Sequence, residues 1–330
     1  MKHAYLIIIM LLVFGKANAQ LDGPRTYWAL PKNLNILSAH FVNAKANASA
    51  NNLSFINPNA TVDNNLYMLT YTRSQPIFGR TFYSTLFVPA GNITATVNVD
   101  PQGPAAASST IFQHGFGDLM WSNTINLIGA EGLMIKDFVR HENPSLLYLQ
   151  AAVSFPTGQY DSENPVNIGS NQFKFKFGMP FVQRIGPWVQ GKKTTFEIFP
   201  SYTLFTKNND FQGQEIEQSG LFVAESHLTR DITKNSFLSL DYSYMNGGSS
   251  EFISKETGMT ISEQAGQNVH LIGATVGFNI NDNLNLLLTH NQTFSSGNDN
   301  VSLDGTVTKI TLSWSFHDFQ EKFKNYIESN

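Results

Sequence analysis

The sequence of 330 residues contains no cysteine, and only 14% of its residues are charged. The lack of cysteine excludes disulfide bonds, thiolate metal sites, a cysteine nucleophile and a lipidated N-terminal cysteine. Soluble domains average about 25% charged residues, so much of this chain is expected to face something other than water. The formal net charge of −4 gives no general basic surface, and no nucleic-acid partner is predicted.

Long apolar segments are also missing after the first residues. The run Leu6–Phe14 follows a cationic start and precedes the small residues Ala17 and Ala19. It is far shorter than the ~20 apolar residues that a membrane-spanning helix requires. Because this pattern is typical of a cleaved signal peptide, we predict a signal peptide over residues 1–19 and exclude a helical membrane protein.

Alternation of apolar and polar residues dominates the rest of the chain, in which aromatic residues reach 12%. Leu147, Leu149 and Val153 share one face of a run, and Phe175 and Lys176 belong to a second run of the same kind. Successive side chains of a β-strand point to opposite faces. Each run therefore predicts a strand with one apolar and one polar side, which suits a half-buried sheet or a barrel in lipid.

Twelve strands are predicted from this alternation. They span residues 33–46, 66–73, 80–88, 119–128, 146–155, 172–179, 193–205, 221–230, 237–245, 269–280, 284–293 and 306–316. Pro89 and Gly91 are expected to interrupt the third strand. Helical spacing of apolar residues predicts a short helix within residues 129–143.

The connections between these strands alternate in length. The long ones are residues 47–64, 100–118, 156–171, 206–220, 246–268 and 295–305, and the short ones are residues 75–79, 185–188, 231–235 and 281–283, with 129–143 as the exception. This alternation with an even strand count is typical of outer-membrane barrels. Since backbone groups in lipid must all be paired, the sheet is expected to close.

We therefore predict an all-β fold, an antiparallel, transmembrane up-and-down β-barrel of about 12 strands over residues 20–316, in the bacterial outer membrane. A polar C-terminal tail, residues 317–330, follows. A secreted soluble β-sandwich or jelly roll is the main competing fold.

Several short motifs resemble the family called putative MetA-pathway of phenol degradation, which consists of outer-membrane transporters. The motifs are Gly115–Asp118, Pro156–Asp161, Asn167–Asn171, Phe205–Asn208 with Phe211, and Glu225–Leu228. The resemblance implies passive import of small, often aromatic or apolar compounds, and it identifies no particular solute.

The C-terminus departs from the usual pattern of such barrels, which finish on an aromatic residue recognised by the barrel assembly machinery. Here Phe316 is followed by fourteen further residues. Either the tail is a periplasmic extension or the closing strand lies at residues 317–326.

Charged side chains on the polar strand faces would line the lumen if the apolar faces meet lipid. They are Lys174, Lys176, Glu197, Glu225, His227, Asp241 and Lys309. Confined charges must pair or stay hydrated, so they form either a structural ladder of ion pairs or a constriction that filters solutes by charge and size. In the outer loops, Asp118, Tyr160 and Asp161 either shape the turns or contact an entering solute.

Other functional classes find little support in the sequence. No recognisable nucleophile motif or metal-ligand spacing occurs, and the adjacent Ser226 and His227 face opposite ways on one strand. We predict no catalytic residue, no cofactor and no metal site. A non-transporting barrel, acting as a structural protein or as an adhesin through its long outer loops, is the alternative.

A channel for passive uptake of small organic solutes is the favoured function. A barrel of twelve strands is wide enough that side chains alone need not fill it, although an inward-folded loop or the N-terminal segment could plug it. The expected partners are outer-membrane lipids, a small organic solute and the barrel assembly machinery.

Overall fold

The computed structural model describes residues 22–46, 60–98, 108–140, 144–264, 266–296 and 305–317. The predicted signal peptide (1–19) and residues 318–330 of the predicted tail lie outside the described residues, and those two predictions stay open.

The described residues form eighteen β-strands and one short α-helix. The strands are β1 (Leu34–Ala46), β2 (Ala60–Ile77), β3 (Arg80–Asn98), β4 (Ser108–Phe116), β5 (Met120–Ile128), β6 (Ser145–Ser154), β7 (Lys174–Gly178), β8 (Phe181–Arg184), β9 (Thr194–Phe205), β10 (Asn208–Phe211), β11 (Gln214–Gln218), β12 (Leu221–Asp231), β13 (Ser236–Gly247), β14 (Ser250–Ser254), β15 (Thr260–Gln264), β16 (Gln267–Asn279), β17 (Leu284–Ser296) and β18 (Gly305–His317). The helix α1 is Ile135–Phe138, one turn within the predicted helical stretch and far too short to cross a bilayer.

Fourteen of these strands form a closed antiparallel wall. The order β9-β12-β13-β16-β17-β18-β1-β2-β3 continues through β4 and β5, which share one position beside β3, to β6. The strands β7 and β8 share the next position and pair with β9, which completes the ring. The described part of the chain thus has twelve wall positions, and the predicted twelve-stranded barrel is confirmed over a soluble sandwich.

The barrel closes where β1 pairs with β18, in unbroken register from Leu34 opposite His317 to Ala46 opposite Gly305. The strand that closes the ring is therefore residues 305–317, which contains the predicted twelfth strand, and not residues 317–326.

The outer surface of the wall is apolar, as the alternation predicts. Tyr67, Leu149, Phe177, Leu240 and Trp314 point outward and are exposed, whereas their sequence neighbours face the lumen. In water such a belt would be costly, but in hydrocarbon it is the favourable surface.

The third strand is continuous through Pro89 and Gly91, so the predicted interruption is wrong. The partner of β3 changes at this point, because β5 pairs with it up to Phe87 and β4 from Ala90 onward. Proline costs little where the ladder is already changing partners. A side chain at Gly91 would lie 2.2 Å from the Asn65 carbonyl oxygen, so glycine allows β2 and β3 to approach closely.

The hairpin between β2 and β3 turns at Phe78 and Gly79 alone, which is shorter than the predicted turn over residues 75–79. Both residues have positive φ, 51° and 73°, which is the geometry of a two-residue hairpin turn. The sixth predicted strand corresponds to β7, and β8, which was not predicted, follows it after Met179 and Pro180, whose proline has no N–H for the ladder.

Three predicted loops contain strands. The predicted loop 100–118 includes β4, and the predicted loops 206–220 and 246–268 contain β10, β11, β14 and β15. These last four strands form a separate sheet in the order β10-β11-β14-β15, here called the outer sheet. Each of its strands buries few side chains, such as Phe211 and Ile216. The resulting runs of alternation are too short to be recognised in the sequence.

Candidate functional site

Residues 22–33, which precede β1, lie inside the barrel and are called the N-terminal plug. The plug leaves the lumen at the end of the short turns, where the Asn33 N–H donates to the Ser74 carbonyl at 3.0 Å. Further in, Tyr27 packs between Phe199 and Tyr148, with ring centroids 5.0 and 6.5 Å away. The sequence analysis allowed for a plug formed by the N-terminal segment. No alternation of apolar and polar residues in that segment indicated where it would lie.

Glu197 on β9 holds the middle of the plug. Its carboxylate accepts hydrogen bonds from the Arg25 backbone N–H at 2.9 Å and from the Trp28 indole N–H at 3.0 Å. The Thr195 hydroxyl donates to it as well, at 2.9 Å. A buried carboxylate with three donors is stabilised by charge-assisted hydrogen bonds, and here two of the donors belong to the plug.

Arg25 fixes the plug to the periplasmic end of the lumen. Its guanidinium lies 2.7 Å from the Asp231 carboxylate and over the rings of Trp28 and Phe237, 4.4 and 3.8 Å from their centroids. The Trp28 ring in turn packs against Trp188, 5.0 Å away. Planar stacking and ion pairing together suit arginine better than lysine.

Asp22 brings charges from three strands together. Its backbone N–H donates to Glu225 at 3.0 Å, and its carboxylate accepts from the Tyr27 hydroxyl at 2.6 Å and lies 3.4 Å from the Lys176 ammonium. The Lys309 ammonium donates to the Asp22 carbonyl at 3.3 Å. The plug therefore supplies counter-charges and donors to wall residues.

His227 and Asp241 form a polar network in the wall beside Glu225. His227 Nδ1 lies 2.7 Å from Asp241 Oδ1, and the Thr275 hydroxyl donates to the other carboxylate oxygen at 2.6 Å. The side chains of Glu225 and Asp241 are only 1% and 2% exposed. His227 and Asp241 are thus buried in contact with each other, whereas Glu225 also borders the lumen cavity.

The seven charged residues proposed from the sequence are thus divided by whether they border the lumen cavity. Lys174, Lys176, Glu225 and Lys309 line the central cavity. Glu197, His227 and Asp241 are buried on the same strand faces, in contact with the plug or with each other. Whether these residues select solutes stays a prediction.

The outer half of the lumen is an apolar chamber. A cavity of about 900 Å³ occupies the lumen and is lined by residues from both ends of the barrel. In its outer half the lining is mostly apolar, with Val42, Leu66, Met68, Phe205, Val223 and Met245, and also includes the polar Asn64, Thr203 and Gln218. The volume lies within the range of about 300–1,000 Å³ that small-molecule sites occupy.

The periplasmic half of the lumen has a different lining on the side of β18, β1, β2, β3 and β5. This hydroxyl belt consists of Ser38, Thr70, Thr85, Ser122, Thr124 and Thr311. His40 bridges part of it, since its ring nitrogens lie 2.9 Å from the Thr311 hydroxyl and 3.2 Å from the Thr70 hydroxyl.

The loop of residues 156–171 folds over the outer end of the chamber. Its Val166 and Ile168 are buried against Val62 and Ile93. Asp118 anchors the loop, because its carboxylate accepts hydrogen bonds from the backbone N–H groups of residues 158 and 170, each at 3.0 Å.

The other two loop candidates also hold this loop in place. The Tyr160 hydroxyl donates to the Asp210 carbonyl at 2.6 Å, and its partial burial raises the pKa of Tyr160 above the ordinary value. Asp161 accepts from the Glu163 N–H at 3.0 Å. These contacts account for the loop shape, and contact of Asp118, Tyr160 or Asp161 with an entering solute stays a prediction.

A closed wall with a lipid-facing apolar belt, a plugged lumen and a covered outer chamber defines an outer-membrane β-barrel. Among the described residues no group of three or more histidines and carboxylates could hold a metal ion. The chain belongs to the family described as putative MetA-pathway of phenol degradation, whose model matches residues 43–307. The resemblance carried by the loop motifs is therefore confirmed.

The chain is similar to several solved structures. The COG4313 outer membrane channel from Pseudomonas putida F1 is 16% identical, with a TM-score of 0.69 over 89% of this chain and 99% of that chain. The transport unit of the autotransporter AIDA-I from Escherichia coli is 9% identical, with a TM-score of 0.48 over 96% and 98%. The NanC porin is 7% identical, with a TM-score of 0.44 over 84% and 98%. The likeness to the Pseudomonas putida channel shows a shared fold, and no curated protein sequence matches the chain.

Proposed function

We propose that this barrel is a passive channel for small organic solutes with an apolar body, and that it is not an enzyme. The observation that carries the proposal is the lumen cavity of about 900 Å³, which is lined by residues from both ends of the barrel. A structural barrel has no need for such a space. Membership of a family named for phenol degradation supports a small organic solute.

The lining supports an apolar rather than a strongly hydrated solute. The outer chamber presents methyl, thioether and phenyl groups, and burial of apolar surface there stabilises a solute by about 25 cal/mol per Å². A sugar or an inorganic ion would lose hydration in this chamber without compensation. Transport would then follow the concentration gradient.

The plug sets the width of the path. It lies against the adjacent strands β9 and β12, where Glu197 and Asp231 bind it, and its Tyr27 and Trp28 side chains occupy part of the lumen. Conduction of anything larger than ions is expected to need displacement of these side chains, so the resting barrel is expected to be narrow.

The experiment compares the folded full-length mature barrel with a variant that lacks residues 22–30, in planar bilayers and in liposome swelling. We expect low conductance for the parent and a several-fold larger conductance for the variant. Heat-modifiable gel mobility serves as the control that both are folded.

A folded barrel that conducts nothing, with or without the plug, would favour the alternative of a structural protein or an adhesin. Its outer sheet would then be the binding surface. Recognition by the barrel assembly machinery is a further part of the proposal, to be tested by depletion of that machinery.

A further inference from the structure

We propose that the preferred solutes are amphipathic anions, in which an acidic head group binds the lumen lysines while an apolar body occupies the chamber. This inference rests on the proposed function and adds a solute class to it. It follows from which charges in the lumen are accessible and from what lies beside them.

The cavity lining is biased towards positive charge. Among the described residues that line it, six are cations (Arg25, Lys174, Lys176, Lys193, Lys234 and Lys309) and four are carboxylates (Asp22, Asp118, Glu225 and Asp231). A confined space with this excess attracts anions.

Most of the lining carboxylates accept hydrogen bonds from the protein itself. Asp118 accepts two backbone N–H bonds, Asp231 accepts from Arg25 and from the N–H of Lys193, and Glu225 accepts from the Asp22 N–H. The Glu225 side chain is 1% exposed, whereas those of Asp22 and Lys176 are 21% and 23% exposed. A solute in the cavity can therefore reach the Lys176 ammonium, beside which Asp22 is the comparably exposed carboxylate.

The lysines lie at the border of the apolar chamber. Lys174 is opposite Phe205 in the register of β7 and β9, and Lys309 is opposite Val42 in that of β18 and β1. The Lys176 ammonium lies 4.6 Å above the centre of the Phe199 ring. Cation and apolar surface thus occur side by side, which is the arrangement that an amphipathic anion requires.

The plug already places a carboxylate in this position. The Asp22 carboxylate lies 3.4 Å from the Lys176 ammonium, which is longer than the 2.7–2.9 Å usual for a charge-assisted hydrogen bond. The Lys309 ammonium donates to the backbone carbonyl of the same residue. Asp22 therefore shows that an acidic group is accepted here, and its loose contact leaves room for a second anion.

The test uses proteoliposomes that contain the folded full-length mature barrel and three probes. Benzenesulfonate is a permanently charged aromatic anion, benzenesulfonamide is its neutral match, and methanesulfonate carries the charge without the apolar body. Fluxes are measured above those of protein-free vesicles, with potassium and valinomycin to balance charge. We expect benzenesulfonate to exceed both other probes about tenfold, the scale of one charge-assisted hydrogen bond.

Two lysine variants and one control locate the preference. Lys174→Met and Lys176→Met should each lower the ratio of benzenesulfonate to benzenesulfonamide flux several-fold. Lys207→Met removes the same charge from the outer sheet, where Lys207 pairs with Glu215 and Glu217, and should keep the ratio of the parent. Lys174→Met has the additional value that it leaves the Lys176–Asp22 contact of the plug in place.

The outcomes separate this inference from the proposed function. A parent ratio near one, or a ratio that both lysine variants retain, overturns the anion preference while the channel stands. If neither aromatic probe crosses faster than through protein-free vesicles, although gel mobility shows a folded barrel, the proposed function fails and the preference with it.

Discussion

The wall of the barrel and the plug inside it are built from different interactions. The wall is a ladder of backbone hydrogen bonds in long registers, as between β1 and β18. The plug belongs to no strand; backbone hydrogen bonds hold its end at Lys32 and Asn33, and the rest is held chiefly by the side chains of Glu197, Glu225 and Asp231. Backbone ladders are lost only when the barrel unfolds, whereas side-chain contacts can be lost one at a time. The comparison shows how a lumen can contain both a permanent and a displaceable part.

The largest effect is expected from a substitution in the wall, Gly91→Val. A Cβ at this position would lie 2.2 Å from the Asn65 carbonyl oxygen and 3.1 Å from the Leu66 Cα. Both atoms belong to the backbone of the adjacent strand, so they cannot move aside without breaking the ladder. We expect the folded band in heat-modifiable gel mobility to be lost.

The matched control for this substitution is Gly79→Asn in the hairpin turn. Gly79 has a φ of 73°, and a Cβ at this position would meet no atom within 4 Å. Asparagine also tolerates the left-handed conformation, so the control should fold as the parent does. If the Gly91→Val barrel folds, the backbone ladder of the wall is flexible, and the wall is not the permanent part of the molecule that its contrast with the plug implies.

A smaller, functional effect is expected from Glu197→Ala, which removes the acceptor for two plug donors. Hydrogen bonds to a charged group contribute about 1.5–3 kcal/mol each, so the plug should leave its position much more often. We expect folded barrels with at least about tenfold more time in a high-conductance state. Single-channel recordings provide the measurement.

Glu217→Ala on the exposed β11 is the matched control for the loss of a carboxylate. It contacts Lys207 in the outer sheet and no residue of the plug in the described structure. Equal conductance changes in the two variants would mean that the plug is not held by Glu197.

Arg25→Lys separates two of the interactions that hold the plug, the ion pair with Asp231 and the stacking on aromatic rings. Lysine keeps the charge beside Asp231 but loses the planar stacking over Trp28 and Phe237, and a cation–π contact contributes about 0.5–2 kcal/mol. We expect an increase in open time that is detectable and smaller than that of Arg25→Ala. If the two variants conduct alike, stacking contributes nothing to the plug.

The smallest effect is expected in the outer sheet, from the ion pair between Lys255 and Asp210. Lys255 holds the pKa of Asp210 below its ordinary value, so the pair stabilises the sheet above an unfolded-state pKa of about 3.9. This contribution is lost as the pH falls through the lower, folded-state pKa. The protection factor of the β10 amides against hydrogen exchange, which removes the intrinsic pH dependence of exchange, should be slightly lower at about pH 3 than at neutral pH. Asp210→Asn should abolish that difference while the wall is unaffected.

The sequence predicted the wall well because each wall strand has one face in lipid and one in the lumen. That asymmetry produces the alternation of Leu147 and Leu149 with Tyr148 and Gln150, which local reading detects. The outer sheet was missed because both of its faces are largely polar, as the glutamates of β11 illustrate. The continuity of β3 depends on a change of strand partner, which no local pattern reveals.

The candidate site was predictable only in part, for a related reason. Alternation identified the charged residues on the inward faces, including Glu197 and Glu225, but not what they bind. Arg25 and Asp231 are 206 positions apart in the chain, and their contact exists only once the ring has closed around the plug. The placement of Asp22 beside Lys176 and Lys309 likewise depends on the closed ring.

The hydroxyl belt has a consequence for how a solute departs. A molecule that has shed its water in the apolar chamber gains nothing comparable from Ser38, Thr70 or Thr311, whose hydroxyls favour hydration. The partitioning of the solute from water into the lumen is therefore weaker at the hydroxyl belt than in the apolar chamber. The barrel would deliver its cargo to the periplasm by rehydrating it, without any need for an acceptor to pull it out.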